Sequence, residues 1–121
     1  MEVESIWKII REETQKRAEA EPVLASFFHM SVLEHDSFLS AVASQLANDL
    51  SNSSIQPLMI RNVIRESLEA NPDILSDISF DLTAVKDRDP DCKYYSTPLL
   101  FYKGFKALQY HKVSNWLWFH E

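Results

Sequence analysis

Asn71-Pro72-Asp73-Ile74-Leu75-Ser76-Asp77-Ile78-Ser79-Phe80-Asp81-Leu82-Thr83-Ala84-Val85 spells out one helix from its start signal to its buried face. Asparagine is a favoured cap, and proline suits the first helical position, where its missing N–H would have no partner anyway. Ile74, Leu75, Ile78, Leu82 and Val85 then recur at helical spacing and share a face. The next stretch, Lys86-Asp87-Arg88-Asp89-Pro90-Asp91-Cys92-Lys93-Tyr94-Tyr95, has no apolar period and a central proline, so it reads as a loop. Thr97-Pro98 repeats the cap-and-proline signal and predicts a last helix after the loop.

The same reading extends toward the N-terminus. A helix is expected from Val3 to Glu19, with Val3, Ile6, Trp7 and Ile10 as its stripe and a more solvated second half. Glu4–Lys8, Glu12–Lys16 and Glu13–Arg17 are spaced as surface ion pairs in the favourable order. Pro22 opens a second helix carrying Val23, Leu24, Phe27, Phe28, Val32 and Leu33. Asp36 or Ser37 caps a third, lined by Phe38, Leu39, Val42, Leu46 and Leu50 and kept slim by Ala41, Ala43 and Ala47. Ser51 to Ser54 is a polar break, and a fourth helix begins near Pro57 with Ile60, Val63, Ile64 and Leu68 on one side.

The last helix is apolar around most of its circumference. Leu99, Leu100, Phe101, Tyr102, Phe105, Leu108, Tyr110, Val113, Trp116, Leu117, Trp118 and Phe119 leave little polar face, which predicts burial on several sides and a covering partner. No stop signal follows Phe119-His120-Glu121, so the chain is expected to continue.

Composition narrows the class. The chain has 121 residues, 45% of them hydrophobic, which fits one domain with a real core. Its net charge of −6 opposes binding to nucleic acid or to an anionic membrane. No apolar run approaches the length of a membrane span, and the N-terminus has no signal-peptide pattern, so the expected location is the cytoplasm. Gly104 is the only glycine, which excludes P-loop and dinucleotide fingerprints and disfavours hairpins. The expected fold is all-α, a compact bundle of about six to eight helices.

Few residues offer chemistry. Asp87, Asp89 and Asp91 alternate as in a calcium loop, but positions 6 and 12 of that pattern hold Cys92 and Pro98 instead of Gly and Glu. The single thiol, Cys92, excludes an internal disulfide, and no spacing pairs it with a base. His29, His35, His111 and His120 lack metal-ligand spacing and read as structural. Trp7, Trp116 and Trp118 read as core or interface anchors. Neither a metal nor a cofactor is expected on this chain, and no catalytic residue. The Asp89-Pro90 step is the best binding candidate: a carboxylate held at a cleft edge suits an ammonium group.

Taken together, several stretches resemble the N-terminal helical domain of bacterial and plant serine acetyltransferases. They are Glu21-Pro22-Val23-Leu24-Ala25-Ser26-Phe27-Phe28, Ser40-Ala41, Leu46-Ala47-Asn48, and Asp81-Leu82-Thr83-Ala84-Val85-Lys86-Asp87-Arg88-Asp89-Pro90. Tyr95-Ser96-Thr97-Pro98-Leu99-Leu100, Lys103-Gly104-Phe105-Lys106-Ala107-Leu108-Gln109 and Trp116-Leu117-Trp118 complete the set. The resemblance implies acetyl transfer from acetyl-CoA, as co-substrate, to the hydroxyl of L-serine, in cysteine biosynthesis. It implies that residues 1–121 form the helical domain and that the catalytic base and CoA site belong to a left-handed β-helix absent from this chain. This chain alone would then be inactive. The resemblance further implies hexamers built as dimers of trimers through the helical domains, and an O-acetylserine sulfhydrylase partner bound through the absent C-terminus. It assigns Asp89, with Pro90, to the binding of substrate L-serine and inhibitory L-cysteine. The residues Asp91-Cys92-Lys93-Tyr94 depart from the bacterial pattern. A different class of reading is a stand-alone helical interaction module without catalysis, which a coding sequence ending at Glu121 would favour.

Overall fold

The structure, a computed structural model, describes residues 2–50 and 57–120, the side chains of 49, 50, 57 and 117–120 excepted. The Ser51 to Ser54 break lies outside them. The described residues form seven α-helices and no strand: α1 (Val3–Ala20), α2 (Ala25–Phe28), α3 (Phe38–Leu50), α4 (Pro57–Ala70), α5 (Pro72–Arg88), α6 (Thr97–Phe101) and α7 (Lys103–His120). The all-α expectation and its helix number hold.

One core runs through the bundle. Ile6 and Ile10 from α1, Phe28 from α2, Phe38, Val42 and Leu46 from α3, Leu68 from α4, and Ile78 and Leu82 from α5 are fully buried. Each such side chain contributes about 1.5–3 kcal/mol relative to exposure. Ala41, Ala43 and Ala47 are buried as well, and α3 and α4 pack along each other. The Trp7 ring meets Phe38 at 6.3 Å between centroids and carries the Arg11 guanidinium over it, 5.5 Å from the ring centre. Arg11 also donates to the carbonyls of His35 at 2.7 Å and Leu33 at 3.3 Å, tying α1 to the chain before α3.

Several local expectations are corrected. The second half of α1 is more solvated, as expected, but Thr14 and Ala18 are buried and extend the inner stripe with small residues that hydrophobic periodicity overlooks. The segment after Pro22 is not one helix but a 3-10 turn (Pro22–Leu24), α2 and a π turn (His29–Leu33), and Val23 points outward, 95% exposed. Ser37, not Asp36, caps α3, accepting from the Ser40 N–H at 3.1 Å. Asn71 occupies the cap position of α5 without a side-chain capping bond, so Pro72 alone carries that start signal. The expected loop begins three residues late, because Lys86, Asp87 and Arg88 complete the last turn of α5, where Lys86 and Arg88 suit the negative end of the helix dipole.

The expected last helix is two. α6 ends at Phe101, Tyr102 adopts an extended conformation (φ −94°, ψ 105°), and α7 starts afresh at Lys103. No positive φ is involved among the described residues. Within α7, Phe105 and Val113 are buried and Leu108 is half exposed. Leu117, Trp118 and Phe119, on which much of the expected apolar face falls, lie outside the described side chains; among those described, apolar residues left outward include Phe101 and Leu108 and also Leu24 in the 3-10 turn, Met30 in the π turn, Leu58 and Met59 on α4 and Phe80 on α5.

Candidate functional site

Asp89 terminates α5. Its N–H still donates to the Val85 carbonyl at 3.0 Å, but its backbone (φ −100°, ψ 108°) has left the helix. Asp89 Oδ1 accepts from the Asp91 N–H at 2.9 Å, and the Asp89 carbonyl accepts from the Cys92 N–H at 3.0 Å. These bonds close a small turn around Pro90, which fixes φ and has no N–H to place. The turn uses one carboxylate oxygen and leaves Oδ2 for something else. Asp89 is half-buried and Pro90 exposed.

The turn borders an open cleft of about 610 Å³ between the end of α5 and the start of α7. Val85, Pro90, Phe105 and Leu108 give it a mostly apolar floor, while Arg88, Asp89 and Tyr102 bring polar atoms to it. Asp81, also on this cleft, is already engaged: Lys112 donates to its Oδ2 at 2.6 Å and Gln109 at 3.2 Å, which fastens α7 to α5. The Tyr102 phenol is pushed above its ordinary value, first by desolvation and then by the Cys92 thiol and the carboxylates of Asp89 and Asp91. It is therefore a neutral hydroxyl at physiological pH.

The loop is anchored from the opposite side by Glu13. Its Oε1 accepts from the Ser96 N–H at 2.7 Å and its Oε2 from the Tyr95 N–H at 3.2 Å, so a carboxylate of α1 caps the start of α6. Burial raises the Glu13 carboxyl above its usual range, outweighing the hydrogen bonds from Ser96 and Tyr95 and the positive charge of Arg17. The Arg17 guanidinium lies 4.8 Å from the Phe28 ring centre and 4.3 Å from that of Tyr94. A second open groove of about 790 Å³ runs past Glu12, Glu13, Lys16 and Arg17. Its charges are of both signs and its best carboxylate is committed to α6, so it presents no single chemistry to a ligand.

Of the other candidates, Cys92 is buried, with its Sγ donating to the Tyr94 carbonyl at 3.4 Å, which makes it part of the loop's scaffold. His35 is structural: its Nδ1 meets Ser40 Oγ at 2.8 Å, and burial lowers its pKa. His29 and His111 are exposed instead, His111 with Asn115 at 3.2 Å; the side chain of His120 lies outside the described residues. Among the described residues no three metal-ligating side chains converge, and Asp87, Asp89 and Asp91 form no such group. Sequence reasoning missed two participants. Glu13 looked like an ion-pair member, and Tyr102 looked like one more apolar helical position.

Comparison with known proteins bears on what this cleft is for. The family model described as "Serine acetyltransferase, N-terminal" matches residues 6–110. The serine acetyltransferase of Salmonella typhimurium is 42% identical over 117 residues, which cover 97% of this chain and 43% of that protein. The chain thus spans less than half of such relatives. A solved serine acetyltransferase in complex with CoA superposes with a TM-score of 0.94 at 39% identity, over 97% of this chain and 50% of the other. One in complex with cysteine gives 0.90 at 40% identity, covering 94% and 47%. The Neisseria gonorrhoeae enzyme in complex with serine gives 0.90 at 38%, again covering 94% and 47%. A family match over most of the chain, joined to an all-helical fold that superposes on these enzymes nearly end to end, places it: this chain belongs to the serine acetyltransferase family, as the N-terminal helical part.

Proposed function

We propose that this chain is the helical front of a serine O-acetyltransferase and contributes Asp89 to the serine site. The observation that carries the reading is the cap of α5: one oxygen of Asp89 holds the turn and the other is left beside an open, mostly apolar cleft. A free carboxylate there suits the ammonium group of L-serine, and of L-cysteine as a competing inhibitor, through charge-assisted hydrogen bonds.

In the reaction, the serine hydroxyl loses its proton to a base and attacks the thioester carbonyl of acetyl-CoA. The tetrahedral adduct then collapses, the C–S bond breaks, and the CoA sulfur leaves and takes up a proton. The family resemblance assigns that base and the CoA site to a β-helical part of a longer protein. Asp89 and Pro90 act by holding the amino acid in reacting geometry. Pathway placement in cysteine biosynthesis and a cytoplasmic location belong to the same reading, as does a sulfhydrylase partner reached through the remaining part. No helix among the described residues is long and apolar enough to cross a membrane.

Assembly is the chain's second task. Leu24, Phe27 and Phe101 are exposed together with Val23 and Met30, and the Phe27 and Phe101 rings lie 5.6 Å apart. This outward apolar cluster supports self-association into the hexamer of the family.

The test is a CoA-release assay with acetyl-CoA and L-serine. Residues 1–121 alone are expected to show no serine-dependent release, whereas the longer gene product turns over. Turnover by the short chain, or a native reading frame closing at Glu121, overturns the assignment, and the latter outcome favours a non-catalytic interaction module.

A further inference from the structure

Tyr102 and Asp89 line the same cleft from different elements, Asp89 from the cap of α5 and Tyr102 from the bend between α6 and α7. The geometry points to Tyr102 Oη as a second hydrogen-bond acceptor for the ligand's ammonium group, beside the Asp89 carboxylate, a selectivity element that rests on the proposed serine site and refines it.

The groups near the Tyr102 hydroxyl are the Cys92 thiol and the carboxylates of Asp89 and Asp91. Both carboxylates only accept when ionised. The Cys92 S–H is committed to the Tyr94 carbonyl at 3.4 Å, so the sulfur turns lone pairs toward the phenol. Each of these neighbours draws the tyrosine hydrogen, and none offers a donor to its oxygen. The oxygen's lone pairs are left for a donor arriving in the cleft. Arg88, the cation on this cleft, is exposed to solvent.

An ammonium group brings three donors. Asp89 Oδ2 and Tyr102 Oη, brought to one cleft by different elements, take two of them, and the negative charge of Asp89 and Asp91 favours the cation electrostatically. A carboxylate alone attracts any cation. A carboxylate paired with a fixed neutral acceptor favours a primary ammonium over a bulkier or substituted one, because a rejected ligand leaves a polar group unpaired. Cys92 links the two sides: its N–H donates to the Asp89 carbonyl and its thiol interacts with the phenol.

The experiment uses the full-length protein that carries this chain and compares Tyr102→Phe, Asp89→Ala and wild type. Tyr102→Phe is expected to raise the KM for L-serine about 10-fold, the loss of one hydrogen bond to a charged group, with kcat and the KM for acetyl-CoA within about two-fold. The inhibition constant of 3-hydroxypropanoate, which is serine without its amino group, is expected to be the same for wild type and Tyr102→Phe. An unchanged serine KM in Tyr102→Phe alongside a raised one in Asp89→Ala overturns the pairing and leaves the serine site standing. An equal weakening of serine and 3-hydroxypropanoate also overturns it, since that marks a loosened cleft. A serine KM unmoved by Asp89→Ala removes the underlying site and the pairing with it.

Discussion

Glu13 and Asp89 are carboxylates on either side of one short loop, and the fold treats them in opposite ways. Glu13 reaches from α1 with both oxygens engaged by backbone N–H groups of Tyr95 and Ser96, partly buried, with its carboxyl pushed upward by that burial. Asp89 engages one oxygen in its own turn, leaves the other without a protein partner, and lines the cleft. The first carboxylate is consumed by structure, and the second is available because the first already holds the loop in place. Residue type alone does not separate them. What separates them is whether backbone donors surround the group, which is decided by the ends of α5 and α6.

The sharpest way to break this contrast is Asp89→Asn in the full-length protein. The amide keeps the oxygen that accepts from Asp91 and loses the charge. Serine KM is expected to rise about 100-fold, while stability changes by less than about 0.5 kcal/mol by urea unfolding. A loss of stability comparable to the loss of affinity makes Asp89 structural after all.

Glu13→Ala should do the reverse. It strips two backbone N–H groups of their acceptor and is expected to cost about 2 kcal/mol of stability, read as a lower urea midpoint at unchanged m-value. Serine KM in the full-length variant should move only as far as the loop shifts, by less than the Asp89 change.

The smallest effect is the pH dependence of stability, where two groups have opposite signs. The Glu13 carboxyl is raised above its unfolded value of 4.5, so its contribution is fully present below that pH and is lost as pH rises through the folded value. The pKa of His35 is lowered from 6.5 by burial, so its contribution is present above pH 6.5 and is lost as pH falls through the folded value. Urea midpoints across pH 4 to 8 in wild type, Glu13→Gln and His35→Asn check both signs; the acid-side slope should flatten in the histidine variant alone.

Much of this contrast was hidden from a linear reading. The stripe Ile74, Leu75, Ile78 and Leu82 and the prolines at 57 and 72 announced their helices, because apolar spacing and a missing N–H are local signals. The extra turn Lys86–Arg88 did not announce itself, since a helix end lying on the surface needs no apolar residue. The burial of Thr14 and Ala18 escaped because small residues pack without being hydrophobic markers. The Asp89-Pro90 step was legible as a break in the chain at a cleft edge, and the structure adds that Asp89 Oδ1 is engaged in the turn while Oδ2 is not. Glu13 was misread as the partner of Arg17 because its real partners lie 82 and 83 residues away. No one-dimensional pattern carries that distance. The bend at Tyr102 was equally silent, having neither proline nor glycine to mark it.

That bend has a consequence for how such a protein changes over time. Its extended backbone is open to nearly every amino acid, so the side chain at 102 is released from any duty to shape the chain. A wall of the cleft can therefore be rewritten one codon at a time while the bundle keeps its form. Discrimination among ligands and foldability are, at this one position, separately heritable.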